Sequence, residues 1–175
     1  MLRFPFDERK ALEAMVLVAE KWPGITPFYA AKVFYLAEKN HLNAFSRPIF
    51  GDRYIAMENG PVPSVVYDWF KGNLDLMGDP DAIVQALEFN RNNRVPGVTA
   101  RRSPNMEHLS PSDVEVLEQA IEFCRDKRFD WLSNLTHNDP SWQAACLNCE
   151  MDPAMMIERD DTIERAEEFA RYGVA

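Results

Sequence analysis

Arg47 to Gly72 reads RPIFGDRYIAMENGPVPSVVYDWFKG, and this stretch decides the fold. Ile49 leads into the turn-type cluster Phe50-Gly51-Asp52, and Arg53-Tyr54-Ile55-Ala56-Met57 runs on as a short strand. Side chains alternate along a strand, so Tyr54, Ala56 and Glu58 point one way and Ile55 and Met57 the other. The pattern predicts a small hairpin with one apolar face, turning at Phe50-Gly51-Asp52. Asn59-Gly60 then breaks the strand, because Gly accepts positive φ and Pro61 pushes it away from helical angles. Pro63 falls near the start of a helix, where its missing N–H costs nothing. Val62, Val66 and Phe70 follow at helical spacing, with Trp69 beside them and Gly72 as the stop. The segment is thus a hairpin, a stiff Gly-Pro-Val-Pro corner and a short amphipathic helix.

Upstream, Thr26-Pro27 supplies a cap and a first-turn proline. Phe28, Ala31, Val33, Phe34, Tyr35, Leu36 and Ala37 then leave almost no polar face. A helix apolar all round belongs in the middle of a domain. The exception is Lys32, expected to lay its stem along apolar surface and reach water with its head. The hairpin and corner helix are expected to pack on this post, with His41-Leu42-Asn43 leading out of it. Residues 7–22 form the first helix, with Leu12, Met15, Val16 and Ala19 inward, ended by Pro23-Gly24.

Downstream, Asp79 caps a short helix over 80–87. Leu87–Asn90 and Val98–Arg102 pair as strands around 92–97 and extend the first hairpin into one small sheet. Residues 108–127 form the clearest helix, opened by the capping box Ser110 to Asp113, with Val114, Leu117, Ala120, Ile121 and Cys124 on one face. Phe129–His137 is a short helix with Phe129, Leu132 and Leu135 inward, and Asp139-Pro140 caps another, in which Trp142, Ala145 and Cys146 are expected inside. A last helix over 160–171 carries Ile163, Ala166 and Ala170 on one stripe. The fold class is mainly α, an α-rich α+β domain: a helical body around a buried central helix with a small antiparallel β-hairpin or sheet. One domain over 1–175 is expected.

The 175 residues carry a net charge of −9. That excess argues against a general nucleic-acid binder, which needs positive charge to displace counterions from phosphates. It suits a protein that meets a basic partner. The charge is uneven: residues 150–175 hold eight acids and three arginines, and 91–102 hold four arginines and no acid. That basic stretch lacks the interleaved aromatics of a single-strand binder and reads as a loop that meets an acidic patch. No apolar run approaches the ~20 residues needed to span a bilayer. The N-terminus lacks a signal-peptide core, so the cytoplasm is the expected compartment. Three cysteines, an odd number, give no disulfide framework.

Four blocks carry a family likeness: AAKVFYLAEKNHL (30–42), GDRYIAMENGPVPSVVYDWFKG (51–72), LSPSDVEVLEQAI (109–121) and LSNLTHNDPSW (132–142). In this order they resemble the SocA-like antitoxins, which carry the Panacea domain and include phage-associated GepA-type proteins. The likeness spans about residues 28–142 and leaves 143–175 as a divergent acidic helical tail. It implies a bacterial or phage (prophage) protein that neutralises a cognate toxin, encoded by the adjacent gene, through direct contact. Panacea domains are paired with toxins of many unrelated kinds, so the likeness does not name the toxin. One relative delivers its toxin to a protease, and a proteolytic adaptor stands as the alternative. Some relatives add a DNA-binding region, and nothing here matches one. Self-association is left open.

Chemical motifs are sparse. Cys146-Leu147-Asn148-Cys149 has the C-x-x-C spacing of zinc or redox sites. Zinc normally takes four ligands and the second pair is missing; nothing in the spacing requires His137 or Cys124. The cysteines read as buried small hydrophobes, and no metal or cofactor is called for. His137 would serve a small hydrolase as general base to Ser133, Ser141 or a cysteine. No nucleophile-elbow motif accompanies it, and the preferred reading is a histidine at a helix end, tied to a carbonyl and packed by Trp142. His41 and His108 have less to recommend them. The partner-binding candidates are Tyr54, Met57, Pro61, Val62, Pro63 and Ser64, taken as exposed positions, with simple packing in the core as the competing reading of this stretch. A corner stiffened by proline loses little entropy on docking, and Tyr and Met are enriched at interfaces.

Overall fold

The computed structural model describes residues 1–74, 78–90 and 96–173. Its helices are α1 (Glu8–Lys21), α2 (Pro27–Phe45), α3 (Ser64–Phe70), α4 (Pro80–Ala86), α5 (Pro111–Arg125), α6 (Phe129–His137), α7 (Pro140–Gln143) and α8 (Asp160–Tyr172). Two antiparallel pairs complete it, β1 (Tyr54–Met57) with β2 (Gly60–Pro63), and β3 (Leu87–Asn90) with β4 (Gly97–Ala100). The chain is mainly α with a small β component, as the sequence implies.

Local chemistry places the helix starts. Asp7, Thr26, Asp79 and Asp139 each accept a backbone N–H in the first turn of the helix that follows. At α5 the capping box closes both ways: Ser110 Oγ accepts from Asp113 N at 3.2 Å, and Asp113 Oδ2 accepts from Ser110 N at 2.8 Å.

Two apolar clusters form the interior, and α2 serves both. The larger gathers α1, α3, α4 and α5 around Val33, Phe34 and Ala37 of α2. The smaller sets Tyr35 and Leu42 of α2 against Tyr54, Met151, Met156 and Ala166. α2 is the central helix the sequence predicts, but it continues through His41 and Leu42 to Phe45 and ends at Ser46, whose φ is 58°.

The β elements depart from expectation. The first hairpin turns at Glu58-Asn59, pairing Met57 with Gly60 and Tyr54 with Pro63. Phe50-Gly51-Asp52 lies before the first strand, outside the hairpin. Gly60, at φ 98°, takes the left-handed position that follows the Glu58-Asn59 turn and opens the second strand, where a strand break was expected. Val62 consequently belongs to a strand, and α3 begins only at Ser64. β3 and β4 pair as predicted, yet they form a separate sheet. Val98 of β4 bridges to Ile25 ahead of α2. The free edge of β1 meets the chain near 150: Ala56 N donates to the Cys149 carbonyl at 2.9 Å and Met151 N to the Tyr54 carbonyl at 2.8 Å.

Side-chain burial on α6 and α7 is also corrected. Leu132, Ser133 and Thr136 face inward, whereas Phe129 and Leu135 are 47% and 36% exposed. Phe129 stacks on Phe28 with ring centroids 4.0 Å apart. Trp142 and Ala145 are half-buried and Cys146 is exposed.

Candidate partner-binding surface

The proline corner turns inward. Tyr54 is buried and its hydroxyl donates to the Phe34 carbonyl at 3.1 Å. Pro61, Val62 and Pro63 are buried, while Met57 and Ser64 are half-exposed. The exposure expected of Tyr54, Pro61, Val62 and Pro63 is thereby corrected, because β2 lies against α2 and α6. Gly60 closes over Lys32: a Cβ there would strike Lys32 Nζ and Thr136 Oγ1. Lys32 does not reach water. It is 1% exposed, with Nζ 3.4 Å from the Pro61 carbonyl and over the Phe28 ring at 5.0 Å. Burial pushes its ammonium down to about 7, and the neighbouring Cys124 thiol up to about 12.

Beside the corner lies a buried polar network. Asp52, before β1, accepts from the backbone N–H groups of Arg53, Val65 and Val66 and so caps α3. Burial pushes its carboxyl up to about 6 against the pull of those donors. Glu38 of α2 accepts from Ile49 N at 3.0 Å, and burial pushes it up to about 8. Asp113 is fully enclosed by Lys10 at 2.7 Å, His41 at 3.2 Å and Arg47 at 3.3 Å. Burial raises Asp113, but the Lys10 and Ser110 bonds outweigh it and hold the carboxyl below its usual range. This network ties α1, α2 and α5 together, and sequence reasoning missed it because its members are far apart in the chain.

The segment LTHNDPSW is likewise a set of internal ties. Asp139 accepts from Lys39 Nζ at 2.7 Å and from Ser141 Oγ at 2.7 Å, and Ser141 Oγ meets the Tyr35 hydroxyl at 2.7 Å. Trp142 Nε1 donates to the Met57 carbonyl at 3.2 Å. His137 stacks on Trp142 at 4.2 Å between centroids, as expected, but among the described residues its buried Nε2 has no hydrogen-bond partner where a carbonyl was anticipated.

The exposed apolar surface lies elsewhere. Along the seam of α2 and α5, one depression is lined by Leu36, Asn40, Gln119, Ala120, Phe123 and Leu135. A second continues it past Asn43, Ala44, Phe45 and Val116 towards Glu158. A third flanks α5 on its other side, between Met106, Leu109 and Val114. Gln119 lines all three. Phe45, Phe123 and Trp131 are 42%, 43% and 45% exposed. Glu115, Glu118 and Glu122, at intervals of three and four residues on α5, form a ridge between the depressions.

The family model described as "Antitoxin SocA-like, Panacea domain" matches residues 31–143, more than half of the chain. The chain belongs to the SocA-like antitoxin family. No curated protein and no solved structure matches it.

The Panacea match takes in the corner, Asp113 with His41 and Arg47, and most of the α2–α5 seam, while Lys10 and part of the packing come from outside it. α1 precedes the match and contributes Ala14, Met15 and Val18 to the main cluster. α8 follows it and lays Thr162 and Ala166 inward, with Asp160, Asp161, Glu164, Glu167 and Glu168 exposed. Cys146 and Cys149 are joined in a disulfide, which corrects the reading of free, buried thiols. The two-residue spacer, with Asn148 at φ 62°, brings their Cα atoms to 5.3 Å, within the usual range of a bridge. Bridged sulfurs offer no thiolate to zinc, and among the described residues no three His, Cys, Asp or Glu side chains are grouped to hold a metal. The arginine-rich stretch is described only at Arg101 and Arg102; Arg91 and Arg94 lie outside the described residues. Arg102 pairs with Glu13 at 2.6 Å.

Proposed function

We propose that this protein is an antitoxin that neutralises a cognate toxin, encoded by the adjacent gene, by direct protein–protein binding in the cytoplasm of a bacterium or phage host. The reading treats residues 1–175 as one folding domain and takes the chain as a binding protein without catalysis. The observation that carries it is the antitoxin family match over residues 31–143. Two features support direct binding. In the LTHNDPSW block Ser141 and Asp139 are spent on internal ties, with Ser141 held by Tyr35 and Asp139. A seam with apolar ends at Phe123 and Leu135 and at Phe45, joined through Asn40 and Gln119 and edged by glutamates, stays open on the same elements, and exposed apolar surface of this kind marks interaction sites. Among the described residues no helix is long and apolar enough to cross a membrane.

The test is co-expression with the neighbouring gene product, scored for growth and for co-purification. Growth arrest by the neighbour alone, with rescue and a stable complex from the pair, is the expected result. Rescue that needs a host protease and leaves no complex would replace direct neutralisation with delivery for degradation. A harmless neighbour would overturn the reading.

A further inference from the structure

The α2–α5 seam is an elongated track of apolar and amide side chains with a charged edge. It runs from Leu36, Phe123 and Leu135 at one end to Phe45 and Glu158 at the other. At 1.5 Å per residue, positions 36 to 45 of α2 and 115 to 123 of α5 each cover about 12–14 Å. A partner helix that anchors through positions i, i+4 and i+7 spans about 10 Å, so the track accepts a helix of two to three turns.

Charge selects the kind of helix. Among the described residues that line the depressions, Glu115, Glu118, Glu122 and Glu158 stand against one cation, Lys39. Lys39 is already engaged by Asp139 at 2.7 Å. Glu118 meets Lys21, and both are exposed. Lys127 is a further cation at the Phe123 end of the track, over the Phe123 and Trp131 rings. A second copy of this chain would set the glutamate ridge against like charge, and nucleic acid would be repelled.

We propose that the α2–α5 seam receives a cationic amphipathic helix of the toxin, with its apolar residues against Phe45, Phe123 and Leu135 and its lysines or arginines over the Glu115–Glu122 ridge. This rests on the antitoxin reading for the identity of the partner; the chemistry of the seam stands without it.

The two can be tested apart. The first probe is a fluorescein-labelled 14-residue peptide of leucine and lysine in helical spacing, with a leucine–glutamate peptide as control, titrated by anisotropy against the full chain. The lysine peptide should bind and the glutamate peptide should not. The double variants Phe123→Asp/Leu135→Asp and Glu115→Lys/Glu122→Lys should each weaken binding about tenfold or more. All four positions are exposed, and unchanged melting curves would show that the fold persists. No binding of the lysine peptide, or binding equal in wild type and both variants, overturns the proposal. The second probe is the neighbour-encoded protein: wild-type rescue with variants that rescue equally also overturns it. If wild type fails to rescue while peptide binding follows the variants, the antitoxin reading falls and the seam stands.

Discussion

The proline corner and the α2–α5 seam are opposite uses of the same central helix. At the corner, α2 offers Lys32, Tyr35 and Glu38, each buried and each with a hydrogen-bond partner. At the seam it offers Leu36, Asn40, Ala44 and Phe45, all at least partly open to solvent. The corner carries the most distinctive residues of the sequence and the seam some of its plainest. Distinctive residues are those a fold requires at one position only: a glycine with φ of 98°, a carboxylate with three N–H donors, a tyrosine bonded to a carbonyl. A surface that meets a partner needs area, shape and charge, which ordinary leucine, phenylalanine and glutamate supply.

If that contrast holds, substitutions at the corner and its network should cost stability, and substitutions at the seam should cost binding. The largest effect is expected at Asp113→Ala, which strands Lys10 and Arg47 beside a site 0% exposed. Removing one partner of a buried ionic cluster costs about 3–5 kcal/mol, measurable by urea unfolding. An Asp113→Ala protein as stable as wild type would show that the network does not hold the helices.

Lys32 gives a pH test of the corner. Its ammonium is pushed down to about 7 in the folded chain, from 10.5. Between those values the unfolded chain binds more protons, so this group makes stability rise with pH across the window and leaves it flat below pH 7. Lys32→Met should therefore lose its relative advantage, by on the order of a few kcal/mol, as pH climbs through that window. Parallel pH profiles for wild type and variant would mean that Lys32 reaches water after all.

Gly60→Ala should destabilise by about 1–3 kcal/mol, because the position has positive φ and no room for a Cβ. A neutral result would place the hairpin turn elsewhere. Reducing the Cys146–Cys149 bridge should cost at most about 2 kcal/mol, since it closes only a four-residue loop. Amide exchange should quicken at Asn148 and Met151, which bond to β1. The smallest change in stability, within about 0.5 kcal/mol, is expected for Glu115→Lys/Glu122→Lys on the exposed ridge.

How much of this was legible depended on distance along the chain. The caps at Thr26, Asp79, Ser110 and Asp139 were readable because cap and recipient lie within three residues. The central helix was readable from its unbroken apolar run. The hairpin turn departs from expectation, although Asn-Gly between apolar runs is itself a turn signal, because the turn-type residues at 50–52 compete with it. Leu135 is expected inward because a nine-residue helix admits more than one apolar face; the buried Ser133 and Thr136 mark the other. The fate of Lys32 was hidden because the glycine that covers it is 28 residues away. The seam could not be read at all, since it exists only where α2 and α5 pack.

The seam and the corner make opposite predictions for the face that meets the proposed toxin. The most direct measurement is hydrogen–deuterium exchange of the chain alone and in its complex with the neighbour-encoded protein. Protection over 36–45 and 115–135, with 54–64 unchanged, is the predicted result. Protection confined to 54–64, with the seam exchanging as in the free chain, would contradict it.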